Sequence, residues 1–196
     1  MSQVEEEAIR QAAALAGPPG AALEVGCEGG RWSHLLTGLG WRMTCTDVNA
    51  TSLALCQARI PSARCVLVDE SDTRIPCETG SVRLLLCIEV MAVLGADWFL
   101  TEAHRVLGPG GVVVGVFNNQ RSWRGWYGQV AARLRRTFDF YAVAYPGWRQ
   151  RFRAAGFEMV SEQGICWFPF GRASDSPLVP ACVNLERFLG LRRLKL

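Results

Sequence analysis

The sequence predicts an α/β domain with a doubly wound, mostly parallel sheet and helices on both faces. Three observations predict it. Short apolar runs without polar alternation recur along the chain, separated by helix-like segments, as strands covered on both faces require. A glycine-rich turn, Gly26 to Gly30, leads from the first of these runs into a helix. Glu24, Asp47, Asp69, Glu89 and Asn118 each fall at or just past a predicted strand end, which sets five polar groups on one rim. In open sheets of this kind, ligands bind outside the carboxyl ends of the strands.

The elements follow in order. Ser2 to Ala16 reads as an amphipathic helix, stopped by Gly17-Pro18-Pro19-Gly20. Ala21–Val25 is a strand, and Trp32–Leu39 a helix. Arg42–Thr46 is a second strand ending at Asp47, and Thr51–Arg59 a helix closed by Pro61. Arg64–Val68 is a third strand and Val82–Ile88 a fourth. Asp97–Leu107 is a helix ended by Gly108-Pro109-Gly110-Gly111, before a fifth strand at Val112–Phe117. Beyond lie helices near Tyr127–Arg136, Trp148–Ala155 and Asn184–Leu191, with strands at Phe157–Glu162 and Ile165–Phe168. The 196 residues form one domain, with 17–117 as its ligand-binding core and 118–148 as an aromatic-rich insertion over the site.

Composition excludes several classes. Apolar residues make up 49% and charged residues 20%, which is globular and not disordered. The start carries Glu5, Glu6 and Glu7 where a secretory leader needs basic residues. No apolar run approaches bilayer length, so the expectation is a cytoplasmic protein with no membrane contact. The eight cysteines contain no CxxC pair, and neither a zinc motif nor any other metal site is expected. Residues 1–117 hold 13 acidic and 8 basic side chains, net −5; residues 118–196 hold 5 and 13, net +8. The C-terminal excess is all arginine but for one lysine, and it is dispersed, so nucleic acid is not the expected partner.

The turn Glu24-Val25-Gly26-Cys27-Glu28-Gly29-Gly30 carries the chemistry. Its glycines let backbone approach a ligand, and the helix beyond offers unpaired N–H donors and partial positive charge to a carboxylate. Glu24 can reach an ammonium group, directly or through water. Asp47, 23 positions after Glu24, ends the next strand, where a carboxylate accepts ribose hydroxyls. A dinucleotide fingerprint counted from Gly26 needs glycine at 28 and 31, where this chain has Glu28 and Arg31.

Ala22-Leu23-Glu24-Val25-Gly26-Cys27-Glu28-Gly29-Gly30-Arg31-Trp32 resembles the first motif of class I S-adenosylmethionine-dependent methyltransferases. Phe99 to Gly111 resembles that family's FLxEAxRVLxPGG segment, Leu84 to Val90 its fourth strand, and Ala154-Ala155-Gly156-Phe157 its AAGF turn. The likeness spans about residues 21–160 and is nearest to small-molecule enzymes of the ubiquinone/menaquinone-biosynthesis type. It implies a Rossmann-like fold, with a last strand supplied by Ile165–Phe168 or missing. The chain departs from the family at Glu28, at Arg83 where an aspartate is usual, and at Ala92-Val93 where Glu-His is common.

The resemblance implies S-adenosylmethionine as cofactor. Glu24, Gly26 and Gly30 line its methionine end, Asp47 its ribose, Asp69 its adenine with Glu70 and Ser71 beside it, and Glu89 the methionine or the reaction centre; Cys27 and Val48 are further cofactor-binding residues. Asp72 rivals Asp69. The expected reaction is in-line methyl transfer to a small-molecule acceptor, with oxygen as the candidate target atom. Glu89, Asn118 and Tyr145 are candidate substrate or catalytic contacts, and no base is assigned. Two alternatives stay open: a methyltransferase-like module without catalysis, suggested by Glu28 and the short C-terminus, and an RNA methyltransferase, suggested by the basic C-terminal part. Against the latter, no N/DPPY-type motif follows the fourth strand.

Overall fold

A computed structural model describes residues 2–135, 143–164, 167 and 176–191. The chain runs α1 (Ser2–Leu15), β1 (Ala21–Val25), α2 (Arg31–Gly38), β2 (Arg42–Asp47), α3 (Ala50–Arg59), β3 (Arg64–Leu67), β4 (Val82–Ile88), α4 (Met91–Leu94), α5 (Asp97–Val106), β5 (Leu107–Val116), α6 (Trp123–Arg135), α7 (Tyr145–Ala154) and α8 (Leu178–Phe188). The strands form one sheet of order β3-β2-β1-β4-β5, every pair parallel. The expected class is therefore the observed one. No helix of the described residues is long and apolar enough to cross a membrane.

The unbroken apolar runs are explained by the sheet's two covered faces. In β4, Leu84, Leu86 and Ile88 join the cluster of Ile9, Leu36, Trp41 and Cys56 on the face of α1, α2 and α3. Leu85 and Cys87 join Phe99, Val106, Trp148 and Phe152 on the face of α5 and α7. Each such fully buried side chain contributes roughly 1.5–3 kcal/mol through water release. In register, Val25 of β1 lies opposite Thr46 of β2 and Cys87 of β4, so the three carboxyl ends finish level with one another. The order turns back between β1 and β4, and a crevice opens there in sheets of this topology.

Two motif residues prove structural. Arg105 donates to both Glu102 carboxylate oxygens at 2.7 Å and to the carbonyls of Ile75 and Cys77 at 2.9 Å; Glu102 also accepts Ile75 N–H at 2.8 Å. The pair clamps the loop that feeds β4. Arg83 donates to the Ala16 carbonyl at 2.8 Å, tying β4 to the chain just past α1, where a cation suits the helix's carboxyl end.

Several boundaries differ from expectation. β5 begins at Leu107 and takes in the glycines assigned to a turn, with a register shift between Val82 and Leu84. A Cβ at Gly108 would stand 3.0 Å from the Gly80 carbonyl, so only glycine lets the strand start that close. α6 starts four residues early because Ser122 caps it, its Oγ accepting Gly125 N–H at 2.9 Å. α7 and α8 also start early, each accommodating a proline, Pro146 or Pro180, in its first turn, where the missing N–H costs nothing. The strand expected at Phe157–Glu162 is not formed: the in–out alternation breaks at Val160 and Ser161, both exposed, and the segment has no ladder partner among the described residues. Most of Ile165–Phe168 lies outside the described residues, as do Phe138, Phe140 and Tyr141.

Candidate cofactor site at the carboxyl rim

The turn after β1 folds back over β2. Gly26 and Cys27 both donate N–H to the Thr46 carbonyl, at 2.9 and 3.0 Å. Gly26 and Gly30 adopt φ of 69° and 71°, which glycine alone reaches without strain. Each is also a point of close approach. A Cβ at Gly26 would stand 2.5 Å from Val90 Cγ2, and one at Gly30 would stand 2.5 Å from Cys56 Sγ.

Glu28, between them, also has positive φ, 47°, where a side chain is disfavoured. What holds it there is Asp47. One Asp47 oxygen accepts Glu28 N–H at 2.8 Å and the other accepts Asn49 N–H at 2.9 Å. The carboxylate thus joins the turn to the start of α3, which Asn49 caps through Thr51 and Ser52 N–H. Val48 beside it is half exposed on the rim.

Glu24 is buried at 2% exposure, and one of its oxygens accepts both the N–H (2.9 Å) and the hydroxyl of Ser33. It therefore holds the first turn of α2 against β1. Burial pushes its carboxyl up to about 8, against the lowering effect of the Ser33 hydrogen bonds. Ser33 was not singled out from sequence; a serine three residues into a helix carries no distinguishing signal.

Glu89, just past β4, is half-buried with φ of 58° and donates N–H to the Val116 carbonyl at 2.9 Å. Two strained glutamates, Glu28 and Glu89, thus stand on the same rim, and such strain collects at functional sites. Asn118, past β5, donates N–H to Met91 Sδ at 3.2 Å. Tyr145 comes near through Asn119, whose side chain accepts Tyr145 N–H at 3.0 Å. Burial first, and the Glu162 carboxylate second, push the Tyr145 hydroxyl up to about 12.

Asp69 and Glu70 lie on an exposed turn after β3. The Asp69 carboxylate accepts Ser71 N–H at 2.9 Å and the Ser71 hydroxyl at 2.6 Å, which holds it below the usual range; Asp72 accepts Asp69 N–H. The structure therefore gathers Glu24, Gly26, Cys27, Gly30, Asp47, Val48 and Glu89 at the ends of β1, β2 and β4. The Asp69 side chain is engaged within its own turn.

Residues 23–115 match the family model described as a methyltransferase domain. No curated protein sequence matches the chain. Among solved structures, the fold is similar to a TehB-like S-adenosylmethionine-dependent methyltransferase from Corynebacterium glutamicum. That likeness has 21% identity, covers 85% of this chain and 82% of the other, and has a TM-score of 0.58. It is similar to the complex of the Haloferax volcanii Trm112 methyltransferase activator with a methyltransferase, at 19% identity, 84% and 74% coverage and a TM-score of 0.65. A third likeness is to a geranyl diphosphate C-methyltransferase from Streptomyces coelicolor, crystallised with S-adenosyl-L-homocysteine, at 19% identity, 79% and 59% coverage and a TM-score of 0.55.

Proposed function

We propose, for a chain that belongs to the class I S-adenosylmethionine-dependent methyltransferases, that its Gly26–Gly30 rim binds the cofactor and its α6 segment receives a small-molecule acceptor with an apolar part. The cofactor supplies a methyl group on a positively charged sulfur, which departs as a neutral thioether. The residues present fit it. Gly26 and Gly30 hold the turn at positive φ, with Val90 and Cys56 seated against their bare backbone, so the turn's N–H groups are fixed at the end of β1. With Ser33 N–H held by Glu24, the first N–H groups of α2 at Arg31 and Trp32 remain for the cofactor carboxylate. Each Asp47 oxygen accepts one backbone N–H and keeps a second lone pair for a ribose hydroxyl. Val48 offers an apolar edge beside it, and Asp69 or Glu70 would bound the adenine.

The acceptor reading is carried by α6. It follows β5 at the rim and turns Trp126 and Tyr127 outward, 71% and 66% exposed. Folding leaves these aromatics without cover, and an acceptor beneath or between them would be held in line and shielded from water. Oxygen is the candidate target atom. With its hydroxyl near 12, Tyr145 stays protonated at neutral pH and serves as a donor, not a base; Glu89 is the candidate for proton removal.

The test is S-adenosylhomocysteine release measured with panels of apolar-tailed phenols, alcohols and amines, beside an RNA panel at varied salt. Turnover on the small molecules supports the reading. Methylation confined to RNA, with binding that falls steeply with salt, overturns it.

A further inference from the structure

Four cysteines scattered along the sequence converge under the cofactor turn. Cys27 is in the turn itself, Cys45 on β2, Cys56 on α3, and Cys65 on β3 opposite Cys45 in register. The sulfur atoms of Cys27, Cys45 and Cys56 all lie within 4.8 Å of one another, and the three residues are 3%, 0% and 0% exposed. Cys65, paired with Cys45 across the two strands, interacts with the thiols of Cys45 and Cys56.

We infer that Cys27, Cys45 and Cys56 form a buried site for one thiophilic metal ion of the zinc(II) or copper(I) kind, with Cys65 as the adjacent fourth thiol. Soft sulfur ligands select these ions, and three or four thiolates match their trigonal and tetrahedral preferences. A metal–sulfur bond of about 2.3 Å sets tetrahedral ligand sulfurs about 3.8 Å apart. The present cluster closes to that by moving each sulfur less than about 1 Å, within side-chain rotation. Its mounts are rigid. Cys45 is mid-strand, Cys56 is mid-helix, and Cys27 is pinned through its N–H to Thr46.

The surroundings serve the sulfurs. Ser33 Oγ lies 3.1 Å from Cys45 Sγ, and the same hydroxyl is fixed by Glu24, a supporting contact of the type that orients metal ligands. Gly30 leaves vacant the space that Cys56 Sγ needs, since a Cβ there would stand 2.5 Å from that sulfur. The three cysteines belong to the apolar cluster of this face, and within it their sulfurs converge from three separate elements. On binding, each ligating thiol gives its proton to solvent, so the ion enters with release of up to three protons, or four if Cys65 ligates. Because Cys27 lies within the cofactor turn, the ion would also fix that turn to β2 and α3. Metal and cofactor affinities are then linked, each raising the other by the same factor.

The test uses the full-length chain, reduced and metal-stripped, without cofactor, so it is independent of any acceptor. Cobalt(II) titration should give thiolate-to-cobalt charge-transfer absorption that saturates at one equivalent and is displaced by zinc(II). A separate arm, copper(I) delivered against a competing chelator, tells which ion binds more tightly. Cys45→Ser and Cys56→Ser should each lose about 100-fold or more in affinity, while the Cys77→Ser/Cys182→Ser double variant binds as the parent. If the core variants do not fold, the double variant alone decides: zinc(II) should raise its Tm by several degrees and protect its thiols from alkylation. Absence of both charge transfer and copper(I) retention overturns the site, as does binding that survives Cys45→Ser in folded protein or is lost in the double variant.

Discussion

The sheet core of residues 21–117 and the two later helices α6 and α8 use their apolar side chains in opposite ways. In the first region Leu84, Leu85 and Leu86 are 0% exposed, packed between helices on two faces. In the second, Trp126 is 71%, Leu134 81% and Phe188 85% exposed. α6 shows the contrast within one helix. Trp123, Trp126, Tyr127, Val130 and Leu134 recur at helical spacing on its outer face, while Gly125 is its buried residue. The sheet region has satisfied its hydrophobic demand by folding. α7 joins that core through Trp148 and Phe152, whereas α6 and α8 keep an apolar surface, and such surfaces mark binding. Disrupting the packed core should therefore cost stability, and disrupting the outer face of α6 should cost function alone.

The largest expected effect is at Gly30. Gly30→Ala adds a Cβ 2.5 Å from Cys56 Sγ at φ of 71°. Left-handed strain and overpacking together should cost about 3 kcal/mol. Gly110→Ala is its control: φ is 72° but nothing lies within 4 Å, so only about 1 kcal/mol is expected. Urea unfolding of both variants measures the difference. Equal losses would mean that crowding under the turn has no energetic weight.

Asp47 comes next. Asp47→Ala should weaken S-adenosylhomocysteine binding by roughly 1.5–3 kcal/mol, about 10- to 150-fold, read by calorimetry. The structure sharpens this expectation, because the carboxylate also holds the Glu28 and Asn49 N–H groups. Asp47→Asn keeps one oxygen acceptor and should fall between parent and alanine. An unchanged Kd in both would remove Asp47 from the site.

Glu24 gives a pH test. Its carboxyl is raised to about 8 by burial, so in the ligand-free protein it is protonated at neutral pH. Raised above its unfolded value, it contributes stability fully present below about pH 4.5 and lost as pH rises through about 8. A cofactor ammonium beside it would favour the charged form and release that proton. Affinity for S-adenosylhomocysteine should then rise with pH, up to about tenfold per unit between pH 6 and 8. Glu24→Gln should flatten the slope, and a flat profile in the parent protein would place the ammonium elsewhere.

The sheet region was legible because its signals are local. β1 and β4 were read to the residue, and Asp47 and Glu24 could be placed because each follows or ends an apolar run. What escaped is non-local. The convergence of Cys27, Cys45 and Cys56 depends on the turn after β1, the parallel strand β2 and helix α3 packing together, and no spacing rule encodes it. Ser33 and Val90 escaped for the same reason, since their roles are contacts to Glu24 and Gly26 across the fold. The early starts of α6, α7 and α8 escaped because Ser122, Pro146 and Pro180 read equally as loop residues and as first-turn residues. The strand pattern of residues 157–162 misled because alternation states a preference, while a strand also needs a partner for its backbone.

Glu28 tests strain on the rim more gently. At φ of 47° the side chain costs about 1 kcal/mol or more relative to glycine. Glu28→Gly should stabilise the protein by about that amount, with the Asp47 bond to the position 28 N–H retained. A loss of cofactor affinity despite the gain in stability would show that the strained turn is preorganised for its ligand. A loss of stability would mean that the Glu28 side chain makes contacts worth more than its strain.

The smallest effect on stability, and the sharpest test of the contrast between the regions, is at Trp126. At 71% exposure it contributes little to the folded core, so Trp126→Ala should shift unfolding free energy by less than about 0.5 kcal/mol. Nor should S-adenosylhomocysteine binding change, since the residue lies on α6 and not in the Gly26–Gly30 turn. Turnover of an apolar acceptor should fall several-fold, mainly through KM, because the indole would supply cover and not chemistry. Measuring KM and kcat separately distinguishes this from a misfolded α6, which would lower kcat as well. If Trp126→Ala instead destabilises the protein as a core leucine truncation does, by about 2–5 kcal/mol, then α6 is packed in solution and the two regions do not differ as described.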